Sequence, residues 1–199
     1  NKAADIFHFR LGETERISTY IEEMLFSSAE RVSAVPPVRF TDFLIKLESR
    51  HDHGYIPLVT IKEEEGELHL TGLAVFRQGR MVGTYNLNET VAVMLVCGEL
   101  WNKGHTFEME GYGGDIVSVR IMGGRRRIKV VQLGSRPEIE ISFTAKAGYL
   151  EEHLRTEKVF EPEAVAEIEK ALSADLEEMS SRVIEKQQEY GSDIFGIGS

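Results

Sequence analysis

The chain has 199 residues, 23 Lys and Arg against 33 Asp and Glu for a net charge of −10, and 42% apolar residues, the composition of a soluble, globular, acidic protein. Its length suits one full-sized domain or two small ones, and its single cysteine, Cys97, excludes an internal disulfide framework and a multi-cysteine zinc site. The excess of acid argues against a broad duplex-binding face, and the longest apolar run, Val91 to Cys97, is far shorter than the roughly 18 residues of a spanning helix.

The opening stretch, Asn1 to Asp5, has neither an initiator Met nor an apolar signal core and reads as a cut or processed end. From Leu11 to Ala29, the residues Ile17, Tyr20, Ile21, Met24 and Leu25 recur at helical spacing and predict an amphipathic helix. Pro36-Pro37 imposes an extended segment, after which Phe40, Phe43, Leu44 and Leu47 predict a short second helix ending near Ser49. Arg50 to Tyr55 reads as a loop, and Pro57 to Lys62 alternates as a strand before the acidic turn Glu63 to Gly66.

Glu67 to Arg77 forms the returning arm, with Leu68, Leu70, Gly72, Ala74 and Phe76 on one side and Leu73 and Val75 on the other. Gln78-Gly79 then turns the chain into Arg80 to Gly83. Asn88-Glu89-Thr90 reads as the cap of a buried helix over Val91 to Leu100. Beyond it, period-two alternation predicts a meander of four strands, Thr106 to Glu110, Asp115 to Met122, Arg127 to Leu133 and Glu138 to Lys146, with turns at Gly113-Gly114 and Gly123-Gly124. In the last strand Ile139, Ile141 and Phe143 face the packed side, and Glu138, Glu140 and Ser142 the wet side.

A final helix opens with Pro162 at its first position and runs to Tyr190 before Gly191, on a seam of Val165, Ile168, Leu172, Leu176, Met179, Val183 and Tyr190. From Leu150 to Ser199 there are 13 acidic and 5 basic residues, a net of −8, which leaves −2 for the first 149. The fold class is therefore α+β, an antiparallel sheet packed against helices with a long C-terminal amphipathic helix.

Few residues invite chemistry. His51-Asp52-His53 offers two imidazoles and a carboxylate to a metal, but no further ligand stands at a motif spacing, and a solvated loop is the plainer reading. Cys97 sits in an apolar helical run, where a thiol acts as a small hydrophobe. Gly111-Tyr112-Gly113-Gly114 lacks the Lys and the following helix of a phosphate loop and reads as a turn. Arg125-Arg126-Arg127 with Lys129 is the basic cluster of the chain, placed at a hairpin tip where it solubilises the turn or touches anionic lipid or an acidic partner. No Gly-x-Ser-x-Gly is present. The residues thus name no catalytic, cofactor or metal site.

Two stretches together carry a resemblance. Leu70-Thr71-Gly72-Leu73-Ala74-Val75-Phe76-Arg77-Gln78-Gly79-Arg80-Met81-Val82-Gly83, followed by Asn88-Glu89-Thr90, and the chain end Ser192-Asp193-Ile194-Phe195-Gly196-Ile197-Gly198 after a long helix, resemble the Ger(x)C family of spore germination lipoproteins, the C subunits of nutrient germinant receptors. The likeness runs from about Tyr55 to Ser199. Gly72 would allow close backbone approach, Gly83 would relieve the strand end, and Phe195 would plug the tail onto the body.

The resemblance implies a non-enzymatic subunit without cofactor, at the outer surface of the spore inner membrane. There it would be held by an N-terminal lipid anchor and work beside integral-membrane A and B subunits, with no nucleic-acid partner. Cys97 lies mid-chain and is not the lipidated cysteine. The chain then corresponds to a soluble C-terminal portion of a longer lipoprotein, with residues 1–55 the latter part of a middle domain and 56–199 the C-terminal domain. The rival readings are a small-ligand module that senses the germinant, recognisable by a concave apolar pocket with convergent polar groups, and a metal-dependent hydrolase using His51, Asp52 and His53.

Overall fold

In the computed structural model, which describes residues 17–31, 35–48, 53–62, 67–99, 103–109, 115–133, 136–152 and 162–197, alternating and helical periods sort into two three-stranded antiparallel sheets and four helices. The order is α1 (Ile17–Arg31), α2 (Phe40–Glu48), β1 (His53–Lys62), β2 (Glu67–Arg77), β3 (Arg80–Asn86), α3 (Leu87–Cys97), β4 (Lys103–Met109), β5 (Asp115–Leu133), β6 (Arg136–Glu152) and α4 (Pro162–Tyr190). The fold is α+β, as its composition of elements requires. Two compact units divide the chain: residues 1–90 with 190–194, and residues 91–189 with 195–199.

In the first unit the sheet order is β1-β2-β3. His53 to Tyr55, expected in a loop, already belong to β1, because they pair with Arg77, Phe76 and Val75 of β2. Along β2 the ladder slips once: Val59 pairs with Leu70 but Leu58 with Gly72, which leaves Thr71 as the extra residue of a bulge. One inserted residue reverses the side-chain parity beyond it. Leu68 and Leu70 therefore share a face with Leu73 and Val75, not with Ala74 and Phe76 as strict alternation predicts. Leu68, Leu73 and Val75 are all buried. On the opposite face Phe76 meets Phe43 of α2 edge-on, with ring centroids 5.2 Å apart. Phe43 is buried while Phe40, 71% exposed, and Leu44 face outward, so the predicted apolar stripe of α2 contributes one core side chain. In α1 the predicted stripe is the less exposed side, with Ser18, Thr19, Glu22 and Glu23 outside.

The β2–β3 turn has Gln78 at φ 50° and Gly79 at φ 68°, the paired positive angles that match the twist of a two-residue hairpin. A second slip, between Val75–Gly83 and Phe76–Met81, makes Val82 a bulge residue. At Asn86 the strand converts to α3. The Asn86 side chain accepts from Glu89 N–H at 2.9 Å, and Glu89 accepts from Asn86 N–H at 2.8 Å, a reciprocal capping box. The cap is Asn86 rather than Asn88-Glu89-Thr90, and Thr90 instead donates its hydroxyl to Asn86 O.

The second unit begins inside α3, where Val91 to Val96 are buried on every side. Gly98, at φ 76°, ends the helix three residues earlier than expected. Its N–H reaches Leu95 O and Glu99 N–H reaches Met94 O, the paired bonds of a Schellman motif. Cys97, expected in the helix core, is its half-exposed last residue.

The sheet order here is β4-β5-β6, three strands where four were expected. Gly123-Gly124 is not a turn: both pair with β6, within one continuous β5. The ladder slips between Ile121 and Gly123, so Met122 is an inserted residue. The change of apolar phase from Val117, Val119, Ile121 to Ile128, Val130 suggests two strands, and this bulge accommodates it within one. The α4 helix has the predicted limits, and Leu172, Leu176, Ser180, Val183 and Gln187 form its buried line.

Gly72 has φ 145°, and a Cβ there would lie 1.8 Å from Tyr85 O. Gly72→Ala is expected to cost about 3 kcal/mol or more, measured by chemical denaturation, because both the angle and the close approach resist a side chain.

Candidate interaction surfaces

The bulge at Met122 sets the faces of the β5–β6 ribbon. Arg126 pairs with Phe143, Ile128 with Ile141 and Val130 with Ile139, on the same face as buried Val117, Val119 and Ile121. Arg125, Arg127 and Lys129 lie on the other face opposite Thr144, Ser142 and Glu140. The basic cluster is thus mid-strand and split between two faces, not gathered at a hairpin tip. Lys129 lies 3.9 Å from Glu140 on the surface. Toward its end the ribbon's apolar face opens to solvent, with Val130 66% and Ile139 41% exposed.

Arg126 turns inward. Its Nη1 donates to Val96 O at 2.8 Å and to Phe195 O at 2.9 Å, joining the last turn of α3 and the C-terminal tail to the strand. Phe195 is buried in this unit, as a tail plug requires. In the first unit Tyr190, the last residue of α4, docks on β3. Its hydroxyl donates to Thr84 O at 2.9 Å and accepts from Thr84 N–H at 3.3 Å, covering the outer edge of that strand. Gly83 makes room, since a Cβ would fall 2.1 Å from the Tyr190 ring. Tyr85 meets the same ring edge-on, with centroids 5.7 Å apart.

His105 on β4 is buried beside Phe107, and its Nε2–H donates to Asp175 Oδ2 of α4 at 2.6 Å. On the outer side of α4, Arg182 pairs with Glu178, whose hydrogen bond and charge raise the guanidinium above its usual range.

Between β6 and α4 runs an apolar groove of about 570 Å³. Ile141, Phe143, Ala145 and Ala147 make its floor, and Val165, Ile168, Leu172 and Leu176 its helical wall. The polar side chains of its helical wall, Glu169, Ser173 and Glu177, are exposed and form the rim. Ser173 already donates its hydroxyl to Glu169 O.

Among the described residues no group of three or more His, Cys, Asp or Glu could hold a metal ion, and no helix is long and apolar enough to cross a membrane. His51, Asp52 and Gly111-Tyr112-Gly113-Gly114 lie outside the described residues, and His53 opens β1. Three arrangements escape sequence reading: Gly83 with Tyr190, Arg126 with two carbonyls, and His105 with Asp175. The faint signals are a glycine in an apolar strand, an arginine in phase with Ile128 and Val130, and an acid beside the α4 seam.

A family model described as spore germination B3/GerAC like, C-terminal, matches residues 71–199. The chain is similar to spore germination protein GerQC of Bacillus cereus, 19% identical over 196 residues that cover 98% of this chain and 54% of that protein. Its fold is similar to that in the crystal structure of the GerBC protein, with TM-score 0.65 and 19% identity over 80% of this chain and 49% of that one. The chain spans about half the length of these relatives.

Arg126→Ala is expected to cost about 2–3 kcal/mol by removing a charged donor from two carbonyls, read as a shift in the denaturation midpoint. Asp175→Ala is expected to cost about 1–3 kcal/mol because it strips the buried imidazole of its acceptor, whereas Asp175→Asn, which keeps one, stays nearer the parent.

Proposed function

The chain belongs to the spore germination B3/GerAC-like C-terminal family, and on that premise we propose that it is the C-terminal portion of a C subunit of a nutrient germinant receptor. It works through protein contacts at the spore inner membrane and performs no catalysis of its own. Its partners are the integral-membrane A and B subunits, and a lipid anchor on the whole protein holds it at the outer membrane surface. The same reading assigns residues 1–55 to the latter part of a middle domain and 56–199 to the C-terminal domain.

The observation that favours contact over chemistry is the groove beside α4. Its floor and wall are apolar and its polar groups stand on the rim, the pattern of a protein interface. A small-molecule site places a few polar groups inside, where they fix the ligand's orientation.

A second reading, direct binding of a small germinant, draws on the groove's volume of about 570 Å³, which lies within the usual range for ligand pockets. Calorimetric titration of the chain with nutrient germinants is expected to show no heat of binding at this site. Saturable binding lost on Leu172→Glu would favour the ligand-sensing reading instead.

The main test is germination of spores that lack the full-length gene and are complemented with it, either whole or without the segment Tyr55–Ser199. Deletion is expected to abolish nutrient germination while the truncated protein stays stable and membrane-anchored. Unaffected germination would show that the family's fold is present without this role.

A further inference from the structure

We propose that the outer edge of β6, together with the acidic rim of α4, receives an extended segment of a partner protein carrying Lys or Arg at every fourth position. This rests on the reading of the chain as a subunit that acts through contacts, and it names the place and chemistry of one contact. β6 is the outermost strand of its sheet, so among the described residues no strand pairs with its far edge. That edge presents alternate N–H and C=O groups, the template on which an added strand forms its main-chain bonds.

The same strand supplies the floor of the groove. From Val165 to Leu176 its helical wall is roughly 16 Å long, the reach of about five extended residues. Ala145 and Ala147 keep the adjoining floor shallow, which leaves space for an incoming side chain.

Charge selects the occupant. Glu169, Ser173 and Glu177 stand one helical turn apart on the groove's rim, which brings two carboxylates about 12 Å apart along the helix. Residues four apart on one face of a strand are separated by about 13 Å, so basic side chains at that spacing meet both acids at once. Their aliphatic stems lie across the apolar floor while their heads reach the rim. An apolar residue midway between them falls opposite Ser173 and the Leu172 side of the wall. A second copy of this chain suits the site poorly, because continuing the sheet through two β6 edges turns two such acidic stripes toward each other.

The test uses the chain itself and a fluorescent peptide in which threonines alternate with Lys, Val and Lys, so that the two lysines are four residues apart. Fluorescence anisotropy is expected to show saturable binding. It should weaken roughly tenfold when the lysines become glutamates, when one lysine moves a single position to the other face, or when alternate amides are N-methylated. The double variant Glu169→Lys with Glu177→Lys, checked by circular dichroism to be folded, is expected to prefer the glutamate peptide. Absence of binding, or binding indifferent to charge, spacing and N-methylation, overturns the proposal. So does a chain that sediments as a dimer and excludes the peptide, which assigns the edge to a second copy. Loss of germination on deleting Tyr55–Ser199 without peptide binding leaves the receptor reading standing and removes this site alone.

Discussion

Side chains on a regular strand alternate strictly between faces, so each inserted residue reassigns everything beyond it, and this chain uses such insertions at three decisive places. At Met122 the insertion lets β5 continue through Gly123-Gly124 while its apolar phase changes from odd to even positions. Arg126 is thereby aimed at the core face and Arg125 and Arg127 away from it. Were β5 regular from Ile121 onward, two exposed arginines and a lysine would face the α4 side, and Ile128 and Val130 would face out. The bond from Arg126 to the tail, and an apolar rather than basic stretch of β5 beside the β6 floor, depend on that one extra residue. Thr71 and Val82 do the same for the first sheet: they put Leu68 and Leu70 beside Leu73 and Val75, and bring Gly83 onto the Val75 face beneath the Tyr190 ring.

The helix ends follow a related economy of polar groups. Helix α3 is buried on all sides over Val91–Val96, and the backbone groups at its two ends are met by specific partners. The capping box of Asn86 and Glu89 satisfies the start. Met94 O and Leu95 O take the Schellman bonds, and Val96 O takes Arg126. The C-terminal tail is held in the same way, with Tyr190 on the backbone of Thr84 and Phe195 O on Arg126. The motifs that carry the family likeness, Leu70–Gly83 and the segment after Tyr190, are therefore a bulge, a turn, a second bulge and the residues that seat the tail.

What could be read from the sequence divides along physical lines. The limits of α4, the β2–β3 turn and the burial of Phe195 were legible, because each depends on local signals: Pro162 and Gly191 at the helix limits, the Gln78-Gly79 pair, and an aromatic residue in a glycine-bounded tail. The four-strand meander was not, because a glycine pair with a phase change signals a turn and a bulge equally well, and only pairing with β6 decides between them. The α2 stripe misled for the opposite reason. Phe40, Phe43 and Leu44 have helical spacing, yet a helix of nine residues turns one of them onto β2 while the others face outward. His105 and Asp175 are 70 residues apart in the chain, and no spacing rule joins them.

The charge distribution takes on meaning only with the fold. A net of −8 over Leu150–Ser199 is what the solvent face of any long surface helix can carry. With α4 beside β6, Glu169 and Glu177 border an apolar groove next to a strand edge that no strand pairs with among the described residues. Apolar surface supplies affinity without direction, strand pairing supplies direction without preference for sequence, and the two carboxylates add a preference for sign and spacing. The three together specify a partner more narrowly than any one of them. Under the proposed docking of a basic extended segment, recognition would run by shape and charge along a line.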